Sequence, residues 1–266
     1  MGMSFIRILL SSLLLLSGLA HAAEPFKPRF GKMVSIKTSQ GPEVRLFEAK
    51  PGKWDGALIL LLHDINGFND AILKSAEQLA VETGAVVLAP DLLDRRSATD
   101  TAAARILLSK VEDTRVFDIL KSCIDYGGKF CRIQTIGWGR LGGTYSLRAL
   151  MMAGDKGYGG VVFQGGVISD TAKLNAIAGP VLYFRGNRDR LIDATTVSSF
   201  QKAMLSLSKP LEIVVVDAAH GYALPGQSAF KPEPAAVSRK QAVEFLKKNF
   251  LVPLRRKAPA GGPEKE

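Results

Sequence analysis

The chain has 266 residues, 47% of them hydrophobic, with 35 Lys and Arg against 25 Asp and Glu, for a net charge of +10. This length and apolar content suit one large α/β domain better than two small ones. The charges are scattered, only 8% of residues are aromatic and no dense Lys/Arg run has interleaved aromatics, which excludes the usual nucleic-acid-binding pattern and leaves solubility and some attraction for anions.

Residues 1–23 read as an export signal. Arg7 supplies the positive charge, residues 8–16 are apolar apart from Ser11 and Ser12, and Ala20-His21-Ala22 has the small-x-small form of a cleavage site. The apolar run is shorter than the ~20 residues a spanning helix needs, and no later stretch is long enough, so no membrane span is expected once the signal is removed. A periplasmic or secreted location follows as an expectation. Without Arg7, 34 basic residues face 25 acidic ones, for a charge of about +9.

Residues 33–39 and 43–49 alternate apolar and polar side chains around Gln40-Gly41-Pro42, and read as an antiparallel hairpin. Residues 57–62 (ALILLL) form a continuous apolar run, as a strand buried on both faces requires. Helical spacing over 70–83 ends at Gly84, and 85–89 is a second buried strand. Residues 101–126 read as mainly helical. Residues 132–137 form a strand that enters a Gly-rich turn, followed by a helix over about 142–152. Three more strands fall at 160–163, 181–184 and 211–216, with helices at 194–206 and 236–249. A hairpin followed by repeated strand–helix units predicts a mostly parallel sheet with helices on both faces. The last residues, 253–266, are Pro, Gly and charge, and read as a disordered tail after a domain over 24–252.

Sites in such sheets form at the carboxyl ends of strands. The informative residues are therefore His63-Asp64, Asp91, the turn at 137–143, Asp189 and His220. The turn Gly137-Trp138-Gly139-Arg140-Leu141-Gly142-Gly143 lies between a strand and a helix, where an α/β-hydrolase fold carries its nucleophile elbow. Small residues flank that position so that the sharp turn can pack.

The motifs around these positions, taken together, resemble the dienelactone hydrolase family. Its members carry Gly-aromatic-Cys-x-Gly-Gly at the elbow, His-Glu-Ile-x-Gly after an early strand, Asp-Leu-Tyr after the next, Gly-x-x-Asp near a late strand and Ala-His-Gly before the last helix. This chain shows His63-Asp64-Ile65-Asn66-Gly67, Asp91-Leu92-Leu93, Gly186-Asn187-Arg188-Asp189 and Ala219-His220-Gly221 in the same order across nearly the whole length after the signal. The resemblance implies an α/β-hydrolase fold, with His220 as general base and Asp189 as the acid that orients it. Asp193 competes for the acid position. It also implies the Ile65 backbone N–H as an oxyanion donor, Asp64 in place of the family's Glu beside the nucleophile, and Arg95 at the spacing of an Arg that holds the substrate carboxylate. Asp64 also reads as a helix cap, and Arg95 as a solvated side chain next to Arg96.

The departure is at the elbow. Counting forward from Gly137-Trp138 places Gly139 at the Cys position, and counting back from Gly142-Gly143 places Arg140 there. The turn holds one extra residue, and neither count yields Cys, Ser or Thr. Thr144 and Ser146 belong to the following helix. A second family Arg, four residues beyond the base, is Leu224 here. Two readings follow: a relative without the nucleophile that binds a small, anionic molecule, or an ester or lactone hydrolase in which His220 and Asp189 work with a non-standard nucleophile or an activated water. With only His63 and His220 after the signal and no HExxH, neither metal nor cofactor is expected. Cys123 and Cys131, two cysteines in an exported chain, are expected to form one disulfide. Nothing in the sequence fixes an oligomeric state.

Overall fold

The computed structural model describes residues 26–52, 56–98, 100–127 and 132–250. The segment expected to be a signal, 1–23, the segment expected to be a tail, 253–266, and Cys131 lie outside the described residues, and with Cys131 so does the expected disulfide. Cys123 is fully buried.

Eight strands form one sheet: β1 (Gly31–Ile36), β2 (Val44–Ala49), β3 (Ala57–Leu62), β4 (Val86–Pro90), β5 (Arg132–Trp138), β6 (Gly157–Phe163), β7 (Val181–Gly186) and β8 (Leu211–Val216). Their order is β1-β2-β4-β3-β5-β6-β7-β8. The β1–β2 hairpin adds antiparallel to β4, and every pairing from β4 to β8 is parallel. The expected hairpin and parallel sheet are therefore both present. Seven helices connect the strands: α1 (Asp70–Thr83), α2 (Thr101–Ser109), α3 (Asp113–Tyr126), α4 (Thr144–Ala153), α5 (Thr171–Leu174), α6 (Ala194–Ser206) and α7 (Pro232–Phe250). Among the described residues no helix is long and apolar enough to cross a membrane.

The six residues of β3 are all buried, because the strand is central and helices cover both its faces. Leu58, Leu60 and Leu62 point to the core under α3 and α4, while Ile59 and Leu61 join the opposite core with α1 and α7. Each such side chain gains roughly 1.5–3 kcal/mol from burial, which is why an unbroken apolar run marks this strand. A stacked column of Trp138, Phe163 and Phe184 crosses three neighbouring strands, with ring centroids 5.5 and 4.4 Å apart.

Helix α1 begins at Asn69, whose side chain accepts the N–H groups of Ala71 and Ile72. It ends at Gly84. The stretch 101–126 is two helices rather than one: Asp100 caps the first, and the chain turns at 110–112 before α3. The short helix α5 has no sequence signal of its own, being a single turn capped by Asp170.

The largest local departure is at the elbow. The helix expected from about 142 begins earlier, as a five-residue π-helical turn over Gly139–Gly143 that runs into α4. A π turn accommodates one residue more than an α-helical turn. It absorbs the extra residue that the two counts of the motif detect.

Candidate active site

The segments that follow β3, β5, β7 and β8 converge on one cleft of about 570 Å³. Its wall includes Asp64 and Ile65 after β3, Arg140 after β5, Ala104 and Leu108 of α2, and His220 after β8.

The acid–base half is assembled. His220 Nδ1 lies 2.9 Å from Asp189 Oδ2. Asp189 is fixed in turn: its Oδ1 accepts the N–H groups of Leu191 and Ile192 at 2.8 and 3.1 Å. Burial pushes the Asp189 carboxyl up, but the His220 bond and charge, with those two N–H groups, outweigh it and hold the carboxyl below its ordinary range. Asp193, the competing acid, is exposed at the start of α6 and does not approach the imidazole through any bond. With the carboxylate on Nδ1, the Nε2 edge of His220 is left to face the cleft, as a general base needs.

Gln164, the residue after β6, was not anticipated from the sequence. Its Nε2 donates to Asp189 Oδ2 at 2.9 Å and to the Ala219 carbonyl at 3.0 Å, while its Oε1 accepts the Gly221 N–H at 2.8 Å. One buried amide thus clamps both members of the dyad and the backbone on each side of His220. It does so from a left-handed backbone conformation, φ +54°, that a non-glycine residue rarely adopts. A lone Gln after a strand has no periodicity or motif to single it out.

The nucleophile half is different. Gly139 sits at the tip of the elbow with φ +67°. This is the strained position where a nucleophile stands in the fold, and here it carries no side chain. The space is filled by Asp64: a Cβ on Gly139 would fall 2.1 Å from Asp64 Oδ2 and 2.5 Å from Oδ1. Asp64 Oδ1 accepts the Leu141 N–H at 3.2 Å, and the Ile65 amide dipole also favours the charged carboxyl. Ile65, expected as an oxyanion donor, lies in the cleft wall directly after Asp64. Burial raises the Asp64 carboxyl above its ordinary value, and the two N–H groups, His220 and His63 oppose that without cancelling it. The helix-cap reading of Asp64 is corrected, since Asn69 caps α1 and Asp64 is buried in the cleft wall. His63 supports it from below: Nε2 accepts the Leu92 N–H at 2.9 Å, which leaves Nδ1 to donate to the Asp64 carbonyl at 2.7 Å.

The two nearby hydroxyls are engaged elsewhere. Ser146 is buried and donates to the Gly143 carbonyl at 2.8 Å. Thr144 Oγ1 donates to the Arg140 carbonyl at 2.6 Å and accepts the Gly166 N–H at 2.7 Å. Gly142 explains why the turn admits no bulk, since a Cβ there would lie 2.2 Å from the Leu62 carbonyl oxygen. Arg140 is exposed in the cleft wall, as expected from its place in the turn. Arg95 is not brought there. It lies in a tight turn with φ +71°, its N–H bonded to Asp91 Oδ2 at 2.8 Å, and its exposed side chain does not line the cleft. Asp91 itself is structural: it also holds Arg45 at 2.7 Å. Among the described residues no group of His, Cys, Asp and Glu could hold a metal ion.

A parallel sheet with an antiparallel hairpin, a strand–elbow–helix turn and a late His–Asp pair define an α/β-hydrolase fold. The family is narrower. The family model described as "Dienelactone hydrolase family" matches residues 44–250, and the chain belongs to that family. Solved structures share the fold at low identity. A protein of Klebsiella pneumoniae assigned as a dienelactone hydrolase superposes with a TM-score of 0.67 at 20% identity, over 81% of this chain and 97% of that one. The dienelactone hydrolase-like promiscuous phosphotriesterase P91 from metagenomic libraries gives 0.70 at 16%, over 82% and 98%. Esterase 2 of Thermogutta terrifontis, phosphorylated by paraoxon, gives 0.60 at 17%, over 83% and 94%. A search of curated proteins finds no match.

Proposed function

We propose that this chain is an exported member of the dienelactone hydrolase family that has lost thiol and hydroxyl ester chemistry and binds a small carboxylate in the His220 cleft. One observation carries the reading: Gly139 occupies the elbow tip, and the space of a nucleophilic side chain holds the Asp64 carboxyl. Covalent acyl transfer needs a thiol or hydroxyl at that tip, and Ser146 and Thr144 are turned away in other bonds. Arg140 supplies a fixed positive charge in the cleft wall, and a guanidinium fork suits a carboxylate.

The test is turnover of short p-nitrophenyl esters and a lactone panel, with labelling by a fluorophosphonate probe alongside. Turnover is expected to be weak or absent, with no label retained. Robust turnover that vanishes in a Ser146→Ala, Thr144→Ala double variant overturns the reading. Calorimetric titration with small carboxylates is expected to show binding that weakens about tenfold or more in Arg140→Ala, the loss of one charge-assisted contact.

The assembled dyad favours a second reading, ester or lactone hydrolysis by a water that His220 activates. Its signature is turnover lost in His220→Ala and retained in the double variant. The export part of the proposal rests on the N-terminal signal pattern and on the cysteine pair. Thiol titration of the unfolded, unreduced protein is expected to find no free thiol, and two free thiols would count against it.

A further inference from the structure

Asp64 is a carboxyl group with an unusual set of neighbours. It stands where the elbow's nucleophile would project, within the wall of the cleft. Its two oxygens are not equivalent. Oδ1 accepts the Leu141 N–H at 3.2 Å, whereas Oδ2 lies nearest the empty Cβ position of Gly139. His220, oriented by Asp189, lines the same cleft, and its charge is felt at Asp64. Arg140 completes the wall. These are parts that a covalent site built around a carboxylate uses: one oxygen held by a backbone donor, a second at the elbow apex, an oriented imidazole in the same cleft and a cation to hold the other end of a small acid.

We infer that Asp64 is the nucleophile of this site, and that it displaces a halide from the saturated carbon next to a carboxylate, as in a short 2-halo acid. The inference rests on the carboxylate-binding reading above. A saturated carbon is the electrophile that fits, because a carboxylate is a poor attacker of esters, where it would have to expel an alkoxide and leave an anhydride. In the first step Asp64 Oδ2 bonds to the carbon, the carbon–halogen bond breaks and the halide departs with its electron pair, leaving an alkyl ester of Asp64. In the second step a water gives a proton to His220 Nε2 as its oxygen adds to Asp64 Cγ. The charge that develops on Oδ1 faces the Leu141 N–H. Collapse breaks the Cγ–O bond to the alkyl group, which takes the proton from His220 and leaves as a 2-hydroxy acid. The products are the hydroxy acid, a halide ion and one proton, and Asp64 retains one oxygen from water.

Attack requires the ionised form, and burial holds the Asp64 carboxyl above its ordinary value. The charged and titrating groups around it are His220 and His63, with Arg140 and Asp100 in the same wall. The reaction should therefore accelerate as pH rises through the Asp64 transition.

The experiment uses the purified protein with 2-bromopropionate as the probe, at pH 7 and pH 9. The wild type is expected to release bromide and, in ¹⁸O-water under repeated turnover, to gain label in the peptide that contains Asp64. His220→Ala is expected to lose at least 100-fold in turnover and to accumulate a single carboxyethyl adduct on Asp64, read by intact mass and peptide mapping. Asp64→Asn should show neither, with a circular dichroism spectrum like the wild type. Adducts confined to other residues, or no bromide release and no Asp64 adduct in either folded protein, overturn the inference. Propionate titrated separately distinguishes the failures. If propionate binds and Arg140→Ala weakens it, only the nucleophile assignment falls, whereas if it does not bind, the carboxylate-binding reading falls as well.

Discussion

The two halves of the site have different histories written in their packing. On the β6–β8 side, Asp189, Gln164 and the Nδ1 edge of His220 form a connected set whose bonds are all within 3.1 Å. On the β3–β5 side, the elbow tip carries no thiol or hydroxyl, the turn is one residue wider, and a carboxyl from the neighbouring loop fills the gap. A hydrogen-bonded network of this kind is costly to leave half-made, because each removed member leaves a buried partner unsatisfied. An apex position has no such constraint. With no side chain on Gly139, the Asp64 carboxyl fits against the apex, where Oδ1 takes the Leu141 N–H.

The difference can be broken most severely at Gly139. Gly139→Ala would place a methyl within 2.5 Å of both Asp64 oxygens at a φ of +67°, and a destabilisation of about 3 kcal/mol is expected from crowding and strain together. Urea denaturation measures it. Repeating the substitution in an Asp64→Ala background should recover the crowding part, so the two changes are expected to be strongly non-additive. Simple additivity would show that Asp64 does not fill the apex.

Gln164→Ala comes next. It leaves Asp189 Oδ2 without one of its two donors and the Gly221 N–H without an acceptor, and a loss of roughly 1–3 kcal/mol is expected by the same measurement. His220 should also become less firmly oriented, which NMR relaxation of its imidazole would register as increased ring motion. His220→Ala itself should cost less, about 1 kcal/mol, because the ring lies at the rim of the cleft and only one bond to Asp189 is lost.

The smallest expected effect is in the pH dependence of stability, where the two halves should have opposite signs. Asp64 is raised in the folded protein by burial, so its contribution is fully present below its unfolded value and is lost as pH rises through the folded one. Asp189 is lowered: against the upward push of burial, the His220 bond and the backbone donors prevail. Its contribution is present above the unfolded value and lost as pH falls through the folded one. Urea midpoints from pH 3 to pH 9 should show Asp64→Asn flattening the alkaline side of the profile and Asp189→Asn flattening the acid side.

The sequence by itself determined the sheet. Buried parallel strands read as unbroken apolar runs, amphipathic helices have their own period and hairpins their alternation, so 57–62, 70–83 and 194–206 were legible residue for residue, and the β-branched run of 211–216 marked the half-exposed edge strand. It also determined the dyad, because Gly186-x-x-Asp189 and Ala219-His220-Gly221 sit directly after strands and a parallel sheet brings strand ends together. Tertiary structure decided everything that depends on a side chain reaching across loops. Arg95 matched a family spacing, but its turn carries it away from the cleft; Asp64 looked equally like a cap, and only packing against Gly139 gave it a place. Gln164 left no trace in the sequence at all, since a single amide bonded to residues 25 and 55 positions away has no local signature. Local periodicity follows from where the backbone puts side chains, element by element. A site forms where several elements meet, and that meeting is fixed only when the chain is folded.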